Sequence, residues 1–169
     1  MKERAALVVG LSLLVFLAAA CGQAQGIEPA PVEEDDDFMI DQTTTLDTQV
    51  VAPGEGTISL DIGLPEGWHV NTDAPPFQAT WFVDDAVVRI SEEDRDVQIH
   101  DPVFPLTVPV SLSTGDAEVS VSVVLYYCDD AVTLCTLDRR TVIAPVEVRD
   151  DAAQSDFTIA YTIVPPPLP

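Results

Sequence analysis

Positive charge is what this sequence has least of. Seven lysines and arginines stand against 29 aspartates and glutamates, for a formal net charge of −22 at pH 7. A surface this acidic repels phosphate backbones and anionic lipid headgroups, which excludes nucleic acid as a partner and excludes peripheral electrostatic binding to membranes. Histidine is nearly absent. His69 and His100 lie far apart without metal-ligand spacing, and each reads as a strand or turn residue, so no metal site is expected. No pairing of serine with histidine suggests hydrolysis, and no glycine-rich loop is present to hold a phosphate, so no cofactor is expected. After Ala20 no segment shows a convincing amphipathic helix of three turns. Cysteine is limited to Cys21, Cys128 and Cys135.

What is present starts with the N-terminus. Lys2 and Arg4 form a short positive region, and Ala5 to Ala20 runs without a charge up to Cys21. Sixteen residues at about 1.5 Å rise span roughly 24 Å, short of the ~30 Å hydrocarbon core. Residues 1–20 are therefore expected to be a signal peptide rather than a permanent anchor. Leu17-Ala18-Ala19-Ala20-Cys21 resembles the lipobox of bacterial lipoproteins, which implies that Cys21 is lipid-modified and that the protein is exported and membrane-anchored, facing the periplasm or the cell exterior. Cleavage there would remove two cations and one acid and leave a chain whose five remaining cations are all arginine. A lipidated Cys21 also leaves the other two cysteines as an even pair, as expected of an oxidising compartment.

Residues 21–45 read as a tether. They carry Gly, Gln, Pro and the run Glu33-Glu34-Asp35-Asp36-Asp37, with no strand or helix period. Like charges in sequence keep a chain extended, and the run lacks the alternating spacing and turn glycine of a calcium loop. From there period two takes over, in Thr57-Ile58-Ser59-Leu60-Asp61-Ile62, in Val119-Ser120-Val121-Ser122-Val123 and in Phe157-Thr158-Ile159-Ala160-Tyr161. Turn chemistry separates these runs at Pro53-Gly54-Glu55-Gly56, Pro65-Glu66-Gly67, Asp73-Ala74-Pro75-Pro76 and Ser113-Thr114-Gly115-Asp116. Seven or eight short strands over residues 46–164, about 120 residues around one core, predict an all-β fold of the antiparallel sandwich class. Fourteen prolines fit that class by capping strands and protecting edges. Trp68 and Trp81 read as core or edge aromatics, and residues 165–169 as a proline-rich tail.

The stretch with most chemical content is Leu125-Tyr126-Tyr127-Cys128-Asp129-Asp130-Ala131-Val132-Thr133-Leu134-Cys135. A strand over Val119–Tyr127, a turn at Asp129-Asp130 and a second strand from about Leu134 to Val148 bring the two thiols to one end of a hairpin. There they can form a disulfide that locks the hairpin, or they can exchange electrons with a partner's thiols. As a lock the bond restricts the unfolded chain by about 2–3 kcal/mol. Two details favour exchange: the strand-end position is open to a partner, and a sandwich staple more often joins the two sheets. Asp129 and Asp130 would raise the pKa of a neighbouring thiol, so the pair would act as an acceptor or relay attacked by a partner's thiolate.

These residues carry a family resemblance. Leu64-Pro65-Glu66-Gly67-Trp68-His69-Val70-Asn71 followed by Ala74-Pro75, then Phe104-Pro105-Leu106-Thr107-Val108-Pro109-Val110, then Val123-Val124-Leu125-Tyr126-Tyr127-Cys128 with Cys135 and Pro145-Val146, resemble in order and spacing the amino-terminal domain of the thiol:disulfide interchange protein DsbD. The resemblance runs from about Leu46 to Val148. It implies an immunoglobulin-like antiparallel β-sandwich in the periplasm and an oxidoreductase-type interchange activity. Cys128 and Cys135 would be the redox pair, Cys135 the site of the mixed disulfide, and a thioredoxin-like or DsbD-type protein the electron donor. The sequence departs from the family in three ways. Its cysteines are spaced slightly wider, and Ser91–His100, which matches the loop that shields the sulfurs, has no aromatic ring. The electron conduit and thioredoxin-like domain do not follow, so the reductant is expected from another protein. The reading from a different class is a non-catalytic, lipid-anchored binding or assembly module with a structural Cys128–Cys135 bond.

Overall fold

The computed structural model describes residues 42–131 and 133–166. The expected signal peptide, Cys21, the tether up to Asp41 and residues 167–169 lie outside the described residues. The described residues form eleven strands, the longer ones on alternating apolar and polar side chains: β1 (Gln42–Thr45), β2 (Gln49–Val51), β3 (Gly54–Gly63), β4 (Trp68–Val70), β5 (Phe77–Phe82), β6 (Val88–Ile90), β7 (Asp96–Ile99), β8 (Leu106–Leu112), β9 (Gly115–Asp129), β10 (Cys135–Val148) and β11 (Phe157–Thr162). The helical content among the described residues is one 3-10 turn, Glu92–Asp94, whose entry is capped by Ser91 Oγ accepting the Asp94 amide.

The strands form two sheets. One runs β1-β10-β9-β5-β7, with β2 also paired to β10 and β4 also paired to β9; the other runs β11-β3-β8-β6. Both contribute their inward residues to one hydrophobic core, so the all-β sandwich expected from the periodicity is the fold. On β9 the inward positions are odd: Val119, Val121, Val123, Leu125 and Tyr127 are buried. On β10 they are even, with Val142, Ala144, Val146 and Val148 buried. Fully burying an aliphatic side chain of this size contributes on the order of 1.5–3 kcal/mol. A one-residue slip of β9 against β10 would turn that whole row to solvent, which fixes the register between them.

Antiparallel ladders dominate, but three pairings are parallel. β1 and β2 run parallel to β10, and β11 runs parallel to β3. Gln42–Thr45, which fall in the expected tether, are thus strand residues lying against Arg140–Ile143. The Gln-Thr-Thr-Thr sequence gives no apolar alternation. What holds it is the unpaired edge of β10, whose Ile143 carbonyl also accepts the Leu46 amide at 2.8 Å.

Two glycines shape the turns beside the cysteines and at the base of the hairpin. Gly67 has φ 82°, and the Trp68 amide donates to the Pro65 carbonyl at 3.2 Å. Positive φ at the third position of that turn is the type II geometry that favours glycine. Gly115 opens β9 with φ 151°, and a Cβ there would meet Val87 Cγ2 at 2.9 Å.

Candidate functional site

Strands β9 and β10 form the longest ladder of the molecule, and the cysteines close its tip. Cys128 and Cys135 are directly opposed, Tyr126 faces Leu137, and Leu125 faces Asp138. The Asp129 amide donates to the Leu134 carbonyl at 3.0 Å. That makes Asp129 and Leu134 the hydrogen-bonded pair and, by the antiparallel alternation, Cys128 and Cys135 the closer, non-hydrogen-bonded pair. Their Cα atoms are 4.1 Å apart and the sulfurs are bonded at 2.06 Å. The two ends of the bond differ in access: Cys128 is buried at 2% exposure, whereas Cys135 is exposed. Both side chains occupy the outward positions of their strands, opposite in parity to the core row. The bond therefore sits on the outer face of its sheet.

Asp129 organises the loop between the cysteines. Its Oδ1 accepts the amides of Thr133 at 2.7 Å and Leu134 at 2.8 Å, and its Oδ2 accepts the Thr133 hydroxyl at 2.7 Å. These hydrogen bonds, the Leu134 amide foremost, hold the Asp129 carboxyl below the usual carboxylate range. A fixed negative charge thus stands one residue from Cys128. The loop is also tied to β4, because the Asp130 amide donates to the Gly67 carbonyl at 2.9 Å.

β4 brings His69 to the register position opposite Cys128. In its pairing with β9, Trp68 faces Asp129, His69 faces Cys128 and Val70 faces Tyr127. His69, Cys128 and Cys135 therefore form one row across three strands, and directly opposed positions place Cβ atoms about 4.5–5.5 Å apart. His69 Nδ1 lies 3.2 Å from Asp130 Oδ1, with both side chains substantially exposed. On the inward side of the same strand the Trp68 ring packs on the Tyr127 ring at 5.3 Å. In the sequence Trp68 reads as a core or edge aromatic and His69 as a strand or turn residue, and three residues are too few for a period to mark Trp68–Val70 as a strand. The His69–Asp130 pairing has no local signal at all, because 61 positions separate the two residues.

Beneath the hairpin lies a polar cluster in the core. Asp138 is 6% exposed at an inward position of β10. It accepts Arg140 Nε at 3.3 Å and Nη2 at 3.2 Å, and the Tyr161 hydroxyl at 3.1 Å. The guanidinium also donates to Thr44 Oγ1 at 2.9 Å and Gln42 Oε1 at 2.5 Å, and it stands 4.9 Å from the centre of the Tyr161 ring. Arg140 thereby ties β1 of one sheet to Asp138, and Tyr161 joins them from β11 of the other. Burial first, then the Asp138 charge, push the Tyr161 and Tyr127 phenols above their ordinary values. The signal for this cluster was visible, since Asp138 and Arg140 share the parity of Val142, Ala144 and Val146.

The remaining expected positions resolve simply. Trp81 is buried in the core and His100 is exposed. Ser91–His100 contains the 3-10 turn and β7, and β7 pairs with β5, which separates it from β9. Gln98 is opposed to Gln78, and Gln78 to Val124, so the segment's register falls short of Cys128 along β9. Among the described residues no three His, Cys, Asp or Glu side chains gather where an ion could be held, and no helix is long and apolar enough to cross a membrane. No protein-family model matches the sequence, and no curated protein matches it.

Proposed function

We propose that this chain is a lipid-anchored, extracytoplasmic thiol–disulfide exchange domain of the DsbD amino-terminal type. Its Cys128–Cys135 pair accepts electrons from a thioredoxin-like partner and passes them to oxidised client proteins. The observation that carries this reading is the asymmetry of the bond: one sulfur belongs to a buried residue and the other to an exposed one, at the tip of a hairpin. An attacking thiolate has one accessible target, Cys135, and the sulfur that leaves, Cys128, stays sheltered and in register to resolve the adduct. In reduction, the partner's thiolate bonds to Cys135 Sγ as the Cys128–Cys135 bond breaks. The partner's second thiolate then forms the partner's own disulfide and releases Cys135, and two electrons have moved into the domain. In the client half-reaction the Cys135 thiolate attacks the client's disulfide, and Cys128 then attacks Cys135 Sγ, re-forms the Cys128–Cys135 bond and releases the client sulfur as a thiolate.

The ladder itself argues against a purely structural bond. β9 and β10 are already matched over 14 register pairs, so the cross-link restrains a hairpin that pairing and the buried valine row already define. The test is the reduction potential of the Cys128–Cys135 bond, measured by equilibration with thiol buffers. A value of about −120 to −270 mV, the range of exchange proteins, supports the proposal; one below about −300 mV assigns the bond to structure.

A further inference from the structure

We infer that His69 is the proton carrier of the exchange, with Asp130 as its positioning residue; this rests on the exchange reading given above. The need for a carrier follows from charge. When the bond opens at Cys135, Cys128 departs as a thiolate at a position only 2% exposed, where burial disfavours the charged form. A thiolate formed there leaves more readily if it is protonated as it forms.

The geometry supplies one candidate. His69 occupies the register position on β4 directly opposite Cys128, on the face away from Cys135. A carboxylate only accepts, so the Nδ1 of His69 carries the hydrogen shared with Asp130, and Nε2 is the nitrogen that gains and loses a proton. The Asp130 amide bond to Gly67 fixes the loop to the turn that carries His69, so the pair is held at both backbone and side chain. β9 is the strand that pairs with β4, and its titratable groups at this end are Tyr126, Tyr127, Cys128 and Asp129; Asp130 follows the strand, and Glu66 lies on the turn before His69.

The steps balance. As the partner's thiolate bonds to Cys135 Sγ, the S–S electron pair goes to Cys128 Sγ, which takes the proton from His69 Nε2 and leaves a neutral imidazole. In the client half-reaction Nε2 takes that proton back from the Cys128 thiol as its sulfur attacks Cys135 Sγ, and the client sulfur leaves as a thiolate. An imidazole bonded through Nδ1 can both give and accept a proton at Nε2, which lets one residue serve both directions.

The experiment measures the rate at which dithiothreitol opens the Cys128–Cys135 bond in the full chain between pH 5.5 and 8.5, divided by the dithiothreitol thiolate concentration. In the natural protein this normalised rate should fall as pH rises, because the protonated donor is lost. In His69→Gln it should be lower by about tenfold or more at the acid end and flat with pH. Imidazole added to His69→Ala should restore the rate, a rescue that a merely structural role would not show. Asp130→Asn, which keeps the carrier and loses its orientation, should lie between. If His69→Gln keeps the natural rate and pH profile while Cys128→Ala still captures a thioredoxin-like partner, the proton-carrier role is overturned and exchange stands. If Cys128→Ala captures no partner, both are overturned.

Discussion

The buried Asp138–Arg140–Tyr161 cluster makes the sharpest energetic prediction, because its members can be removed one at a time. Arg140→Met keeps the length and apolar stem of the side chain and deletes the guanidinium. Asp138 is then left 6% exposed with the Tyr161 hydroxyl as its remaining donor among those described above. Breaking a buried ion pair by removing one partner typically destabilises by about 3–5 kcal/mol, much of it from the charge left behind. The variant also loses the hydrogen bonds to Thr44 and Gln42, so β1 should fray before the rest of the sheet. Adding Asp138→Asn removes the stranded charge while an amide oxygen can still accept from Tyr161. The double variant should therefore recover at least about 2 kcal/mol relative to Arg140→Met alone. Urea unfolding followed by tryptophan fluorescence gives the free energies, and hydrogen exchange at residues 42–45 reports on β1. A loss below about 1 kcal/mol in Arg140→Met, or strictly additive single and double variants, would refute the argument that this cluster is a coupled, buried ion pair.

Two further outcomes follow from other parts of the chain. The Asp129 carboxyl is held below its unfolded value by the Leu134 amide and by the hydroxyl and amide of Thr133. Its ionised form therefore contributes stability that is present above the unfolded value of about pH 4 and is lost as pH falls through the folded one. Asp129→Asn should flatten the acid limb of the urea midpoint between pH 5 and 2, and an unchanged slope would show that the loop does not depend on this carboxylate. If the protein is held by lipid on Cys21, Cys21→Ser should move it from the membrane to the soluble fraction, since the acidic chain has no polybasic second signal; membrane retention of that variant would contradict lipid anchoring.

The parts of the molecule that were legible in sequence are those where one strand's own pattern settles its position. Val119 to Val123 and Ile58 to Ile62 alternate because one face is buried, and the cysteine hairpin could be read from the apolar runs on either side of an acidic turn. The parallel edges were not legible. Gln42–Thr45 find Arg140–Ile143 nearly a hundred residues away, with no hairpin turn to announce the pairing and no apolar side chain to drive it. β4 was hidden for a related reason, since Trp68, His69 and Val70 are too few to show a period and are defined by the strand end they lie against. Consequently the cysteines were found and their neighbour His69 was not: disulfide partners share one hairpin, whereas His69 reaches Cys128 only through tertiary pairing. Asp138 and Arg140 show the opposite case. Their inward parity was in the sequence, but a charged residue on a core row gains meaning only once Tyr161 and β1 are seen to meet it.

The central claim is that Cys128 and Cys135 exchange electrons, and the most direct measurement of it is capture of the intermediate. Cys128→Ala leaves Cys135 as an exposed lone thiol on a strand that the core still holds in register. Incubated with a thioredoxin-like protein whose second cysteine is replaced by alanine and whose remaining cysteine is carried as a mixed disulfide with thionitrobenzoate, it should displace thionitrobenzoate and form a protein–protein mixed disulfide that dithiothreitol reverses, because neither protein keeps a sulfur to resolve it. Cys135→Ala should form far less, since Cys128 is buried. A Cys128→Ala domain destabilised by about 2–5 kcal/mol that forms no such adduct would contradict the account and make the bond a structural one.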